Sequence, residues 1–184
     1  TILFSFALYV TYKIRFDMEY LGWCMLMGAV WMIGESKLRQ LWIPNASVLA
    51  ALCFVIVMIC PVPILLYVDN VQKGRYHRIY RWIELAAGLD LVISLILQLQ
   101  GVVDFIELMP VYHVMLLIVF VVVLITFIRD IRLGASRDYH LAVAGILIAM
   151  LAAAVEATSV YFVVTLSGLF IGTGLVVLLL LNII

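Results

Sequence analysis

Charge is what this sequence has least of. Eleven Lys/Arg and eleven Asp/Glu make up 12% of 184 residues and cancel to a net charge of zero, about half the charged fraction of a soluble domain. Such a balance argues against nucleic acid as a partner, which calls for a basic surface. Cysteine is also sparse. Cys24, Cys53 and Cys60 sit inside apolar runs, with no CxxC pair and no His at metal-ligand spacing. They read as small hydrophobes, and neither a metal nor another cofactor is expected. No HExxH, GxSxG or phosphate-binding glycine loop occurs, no two His at helical spacing could hold haem or zinc, and the last apolar run lacks a Lys for a retinal Schiff base. Catalysis is not expected of this segment. A basic start followed by a cleavage site is missing, and there is no internal repeat of the kind many transporters carry.

What fills the sequence instead is apolar: 67% of residues, with a mean hydropathy of +1.26. At about 20 residues per crossing, that length allows six or seven membrane spans and no soluble domain beside them. Nine of the eleven Lys/Arg fall in three clusters, Lys13/Arg15, Lys73/Arg75/Arg78/Arg81 and Arg129/Arg132/Arg137. Placing these clusters on the cytoplasmic side, as the positive-inside rule requires, leaves only Lys37 and Arg39 outside.

The expected architecture is all-α: a polytopic seven-helix transmembrane bundle whose first span is short or truncated. The spans run over about 1–10, 20–34, 47–68, 82–101, 111–127, 139–162 and 165–184, with the amino end outside and the carboxy end in the cytoplasm. Pro61 and Pro63 remove helix hydrogen bonds and are expected to bend the third span in its inner third. Since the chain opens at Thr1 inside an apolar run, residues 1–184 are expected to be a single domain excerpted from something longer.

Ionisable groups inside spans are costly and count as functional candidates. Asp90, with Ala86/Ala87, Ser94 and Gln98 at spacings of three and four, falls on one face of the fourth span, which reads as the interior side. Glu84 reads more blandly, as a partner for Arg78 or Arg81. Glu156 shares a face with Ala149, Ala152 and Ala153, small residues that permit close helix approach. Gly168 and Gly172, with Gly174 nearby, give a second packing seam. Glu35, Gln98, Asp104, His113 and Glu156 are the candidate ligand-binding residues, a polar ring with Tyr161 just below the outer surface; Asp90 and Ser94 are candidate coupling residues. Against the ring stands the simpler reading that these side chains only satisfy one another and fix helix register. The tryptophans and most tyrosines, Tyr76, Tyr80 and Tyr139 among them, read as interfacial anchors.

Gly34-Glu35-Ser36, Leu38-Arg39-Gln40-Leu41, Pro61-Val62-Pro63, Leu97 to Gly101 running on through Asp104-Phe105, Leu108, Pro110 and His113 together resemble the membrane domain of bacterial seven-transmembrane receptors with diverse intracellular signalling modules. The resemblance covers nearly the whole chain through loose patterns, and is nearest to versions preceding diguanylate cyclase (GGDEF) domains. It implies an extracytoplasmic domain before the bundle, and after it a diguanylate cyclase, histidine kinase or phosphatase. Implied with these are a bacterial inner-membrane location, a small extracytoplasmic ligand or ligand-binding domain, and a homodimer in the lipid bilayer. A small transporter or channel, with its pathway along Asp90, Ser94 and Gln98, is the competing reading; a purely structural anchor is the third.

Overall fold

Long apolar runs cannot leave backbone amides and carbonyls unpaired in lipid, so they fold as helices that satisfy those groups internally. The computed structural model describes residues 17–35, 45–135, 139–159 and 169–183. These residues form seven helical segments: α1 (Asp17–Glu35), α2 (Ala46–Ile59), α3 (Pro61–Val71), α4 (His77–Leu99), α5 (Phe105–Arg132), α6 (His140–Ser159) and α7 (Leu169–Ile183). The segments α2 and α3 follow one another through Cys60, so the described residues hold six helical rods.

Among the described residues, three stretches are long and apolar enough to cross a membrane: Ala51–Val71, His77–Leu99 and Phe105–Arg132. Tyr20–Ile33, His140–Glu156 and Gly172–Leu181 are apolar helices of shorter length. The chain therefore has the make-up of a multi-pass membrane protein. The first of the seven expected spans lies outside the described residues, as do Gly168 and Tyr161.

Proline sets the interruption between α2 and α3. Pro61 has no N–H to offer the Val57 carbonyl one turn back. Cys60 keeps right-handed helical dihedrals (φ −52°, ψ −35°) and bonds back to the Ile56 and Val57 carbonyls at 3.0 and 3.2 Å. The Tyr112 hydroxyl, arriving from α5, donates to the Val57 carbonyl at 2.7 Å. A side chain 55 residues further on thus supplies the donor that proline withholds.

Capping chemistry fixes other ends. Asn45 caps α2, its side chain accepting from the amides of Ser47 and Val48 at 3.1 and 3.4 Å. The α4 terminus is a Schellman turn: Val102 N–H bonds to Leu97 O and Gly101 N–H to Gln98 O, both at 3.1 Å, with Gly101 at φ +67°. The end of α3 makes the same turn through Gly74 to Asp69 and Lys73 to Asn70, each at 2.9 Å. There the left-handed position holds Lys73 (φ +57°), not glycine.

The described residues form two apolar cores. The larger joins Leu21 of α1, Leu65 and Val68 of α3, Tyr80 of α4, Val123 and Phe127 of α5, Ile146 of α6 and Leu178 of α7. The smaller joins Met58 of α2 to Phe105 and Tyr112 of α5, with the Phe54 and Phe105 rings stacked at 5.9 Å. The most extensive helix pairing is α6 with α7. A methyl group on Gly174 would lie 2.8 Å from Ala152 Cβ and 3.1 Å from Ala149 Cα, and one on Gly145 would lie 3.2 Å from Leu178 Cα. Backbones come this close because the seam is lined by small residues.

Candidate functional site

The turn between α3 and α4, the end of α5 and the start of α6 meet at the end of the bundle that carries Lys73, Arg75, Arg78, Arg81, Arg129 and Arg132. Among these bases one acid, Asp130, is fully buried. Its position follows from α5, whose last turns also bury Val123, Thr126 and Phe127 on the face turned to the core.

Asp130 gathers donors from three places in the chain. Arg75 Nη1 in the turn donates to Oδ1 at 2.5 Å, Tyr76 OH donates to the same oxygen at 3.1 Å, and Tyr139 OH, just before α6, donates to Oδ2 at 2.5 Å. A buried carboxylate stays charged only if such donors replace its water. The same contacts act on the partners. Burial first, and then the bond to Asp130, raises the Tyr76 and Tyr139 hydroxyls above the ordinary tyrosine range. For Arg75, the hydrogen bond to Asp130 is the main cause holding the guanidinium above its usual value.

A second polar group lies beside the first. Tyr80 OH donates to Gln72 Oε1 at 2.5 Å and sits 2.6 Å from Thr126 Oγ1, which donates to the Val123 carbonyl at 2.8 Å. This ties the turn to α4 and α5. His77 Nδ1 lies 2.7 Å from Asp69 Oδ2, closing the turn on itself. Among the described residues, Asp69 Oδ1 and Gln72 Nε2 are buried without a partner. The group as a whole is a polar clasp holding α3, α4, α5 and α6 at one end.

Sequence reasoning placed its candidates at the opposite end, and the structure gives several of them definite positions. Gln98 and Asp104 come together: Gln98 Nε2 donates to Asp104 Oδ1 at 3.3 Å, while Gln98 Oε1 accepts from the Phe105 amide at 2.7 Å. Gln98 therefore caps the start of α5, since the N-cap residue Asp104 makes no side-chain capping bond. Glu156 is buried, and its Oε2 accepts from the Phe170 amide in the first turn of α7 at 3.3 Å, where the helix dipole favours an anion. His113 is half-buried in α5, its ring tilted against Tyr112 at 5.9 Å. Glu35 is the last residue of α1, and its side chain is not among those described.

On α4, Ser94 and Ala87 are buried and Asp90 is half-buried, so the stripe read from spacing does face inward. Ala86, by contrast, is exposed. Glu84 lies within electrostatic reach of Arg81, as expected, and also of His77 and Asp69. The seam glycines find partners on two sides: Gly174 against Ala149 and Ala152 of α6, and Gly172 against Met32 of α1.

The clasp itself escaped sequence reasoning. Its one visible signal was an acid between two arginines, Arg129-Asp130-Ile131-Arg132, where a purely topogenic cluster would carry bases alone. Among the described residues, no group of three or more His, Cys, Asp or Glu could hold a metal ion. Comparison with protein-family models, with curated proteins and with solved structures finds no match for this chain.

Proposed function

We propose that the chain is the membrane-embedded relay of a bacterial receptor: a seven-span bundle with its amino end outside and its carboxy end in the cytoplasm. A stimulus at the outer end changes helix packing, and α7 passes that change to a cytoplasmic output domain, a diguanylate cyclase in the version the sequence resembles. The observation that carries this reading is how α6 and α7 are attached. They pair closely with each other, whereas α6 is fastened to the preceding helices at the Asp130 clasp through Tyr139.

A relay needs two packings separated by a few kcal/mol. A hairpin that is tight within itself, packed on α1 where Gly172 meets Met32, and tied to α5 by a hydrogen bond to a buried carboxylate is suited to that. Glu156 and His113 are the proposed stimulus residues, with Glu35, Gln98 and Asp104 beside them, and Asp90 and Ser94 couple inward. The proposed assembly is a homodimer in the cytoplasmic membrane.

The test uses the full-length protein in its native membrane. Cyclic dinucleotide output is measured for the wild type, for Glu156→Gln with His113→Gln, and for Tyr139→Phe, across external pH and candidate ligands. Altered response in the first variant and altered basal output in the second support the relay. Unchanged output in both, with normal folding, refutes it. The inward-facing Asp90 and Ser94 also suit a solute pathway, and solute flux in liposomes without any change of output would establish that transporter reading instead.

A further inference from the structure

α4 is the least covered of the three long spans. Its exposed side is divided by charge. At the basic end Arg78 and Arg81 are exposed, beside an exposed Trp82; further along the same side lie Leu85, Gly88, Leu89 and Val92. Two shallow grooves run along it, sharing Arg81 and Leu85, so they form one furrow with a cationic mouth and an apolar floor. The groove that runs from Arg81 and Glu84 to Val92 has a volume of about 420 Å³. Gly88 leaves the floor open: a methyl group there would meet nothing within 4 Å.

We propose that this furrow is a binding site for one anionic phospholipid of the cytoplasmic leaflet, its phosphate at Arg78 and Arg81 and one acyl chain along Leu85, Gly88, Leu89 and Val92. The match is to an amphiphile, with charge at one end and apolar surface at the other. Basic pockets on the cytoplasmic side of membrane helices are suited to such headgroups. The positive end of the α4 dipole adds to the two arginines at the mouth. Trp82, exposed beside Arg78 and Arg81, suits the headgroup level that interfacial indoles favour. Glu84, which also lines the furrow, disfavours a second phosphate at that depth and suits a headgroup with hydroxyls to donate, such as phosphatidylglycerol. The proposal rests on the membrane orientation given above and not on any signalling role.

The experiment is native mass spectrometry of the purified chain after equilibration with mixed micelles of equimolar phosphatidylglycerol and phosphatidylethanolamine. The wild type is expected to retain phosphatidylglycerol preferentially, and each of Arg78→Gln and Arg81→Gln to cut that preference about fivefold. Arg132→Gln removes an exposed arginine from a different helix and is expected to leave it unchanged. Gly88→Phe places a ring over the apolar floor without touching a charge and is expected to lower retention of both lipids, with helicity and elution volume unaltered. Equal retention of the two lipids by the wild type overturns the proposal, as does an Arg132→Gln loss matching that of Arg81→Gln. So does a dimer that Gly88→Phe dissociates, which makes a second copy of the chain the occupant. Failure of the relay would instead appear in output measurements, which this experiment does not read.

Discussion

Replacing Tyr139 by Phe removes a single oxygen from the clasp and leaves the ring in place. That oxygen donates to Asp130 Oδ2 at 2.5 Å, and Asp130 is fully buried. A hydrogen bond to a charged group contributes about 1.5–3 kcal/mol, against about 1 kcal/mol for a neutral one. Tyr139→Phe is therefore expected to destabilise the chain by about 1.5–3 kcal/mol, because Oδ2 loses its donor in a place that water does not reach. Tyr76→Phe acts on a longer bond, 3.1 Å, to an oxygen that Arg75 also serves. Its loss is expected to be the smaller of the two. Arg75→Gln is also expected to cost less than Tyr139→Phe, since the guanidinium side chain is 40% exposed and solvent screens its charge.

Reversible unfolding in mixed micelles, run as a double-mutant cycle of Tyr139→Phe with Asp130→Asn, isolates the pair. A coupling energy of at least about 0.5 kcal/mol is expected for residues in direct contact. Additivity within about 0.3 kcal/mol would show that the bond contributes nothing, and the reasoning that α6 is fastened here would fail. Alkaline titration gives an independent reading of the same bond. The folded-state pKa values of Tyr76 and Tyr139 are raised, so both hydroxyls keep their protons after the unfolded chain, near pH 10, has begun to lose its own. The stabilisation is present in full below that pH and is lost as pH climbs through the folded values. Stability is thus expected to fall above about pH 10, less steeply in Tyr139→Phe, as followed by tyrosinate absorbance and unfolding together.

Other substitutions probe the remaining joints. Gln98→Leu removes the acceptor for the Phe105 amide and is expected to cost about 1 kcal/mol in thermal unfolding; a loss of ligand response at unchanged stability would contradict the capping role. Gly174→Leu forces a side chain against Ala152 and the Ala149 backbone, with an expected loss of about 1–3 kcal/mol and a loosened α6–α7 pair, measurable by cysteine cross-linking across the seam. Tyr112→Phe leaves the Val57 carbonyl without its hydroxyl donor and is expected to cost about 1 kcal/mol, whereas the same change in a Pro61→Ala background should cost less, because the alanine amide can serve that carbonyl.

Legibility from sequence followed the range of the interactions. Helix ends were readable as positions: the bounds at 47 and 101 fall within two residues of the start of α2 and the end of α4, where an Asn45 side-chain cap and a left-handed Gly101 act locally. The inward stripe of α4 was readable because helical spacing alone determines a face. The interruption at Cys60 followed from Pro61 and Pro63, but the hydroxyl that serves the Val57 carbonyl did not, since it comes from another helix. Asp130 was missed for the same reason. Its local neighbours are Arg129 and Arg132, and a reading confined to one helix would pair it there, yet its arginine partner lies 55 residues earlier. Tyr76, Tyr80 and Tyr139 read as interfacial anchors from their positions near span ends, and only the fold shows their hydroxyls turned towards carboxylate, amide and hydroxyl groups. Gln98 and Asp104, two members of the expected polar ring, do bond to each other; that Gln98 caps a helix depends on Phe105 N–H, a backbone group no side-chain pattern displays.

The buried residues of α4 connect the two ends of the bundle. Tyr80, Ala87 and Ser94 repeat every seven residues and are all buried, with Asp90 half-buried between the last two. Below, Tyr80 belongs to the polar group with Gln72 and Thr126; above, Gln98 holds the first amide of α5. A helix of 23 residues spans about 34 Å, and both its ends are fixed by hydrogen bonds to other segments. A shift of α4 along its axis by even one residue, about 1.5 Å, would strain the Tyr80 contacts and the Gln98 cap together. The opposite face carries Arg78, Arg81 and the apolar furrow. α4 is therefore held at both ends at once, and the buried stripe, more than any single acid in it, is the surface that joins the Tyr80 contacts to the Gln98 cap.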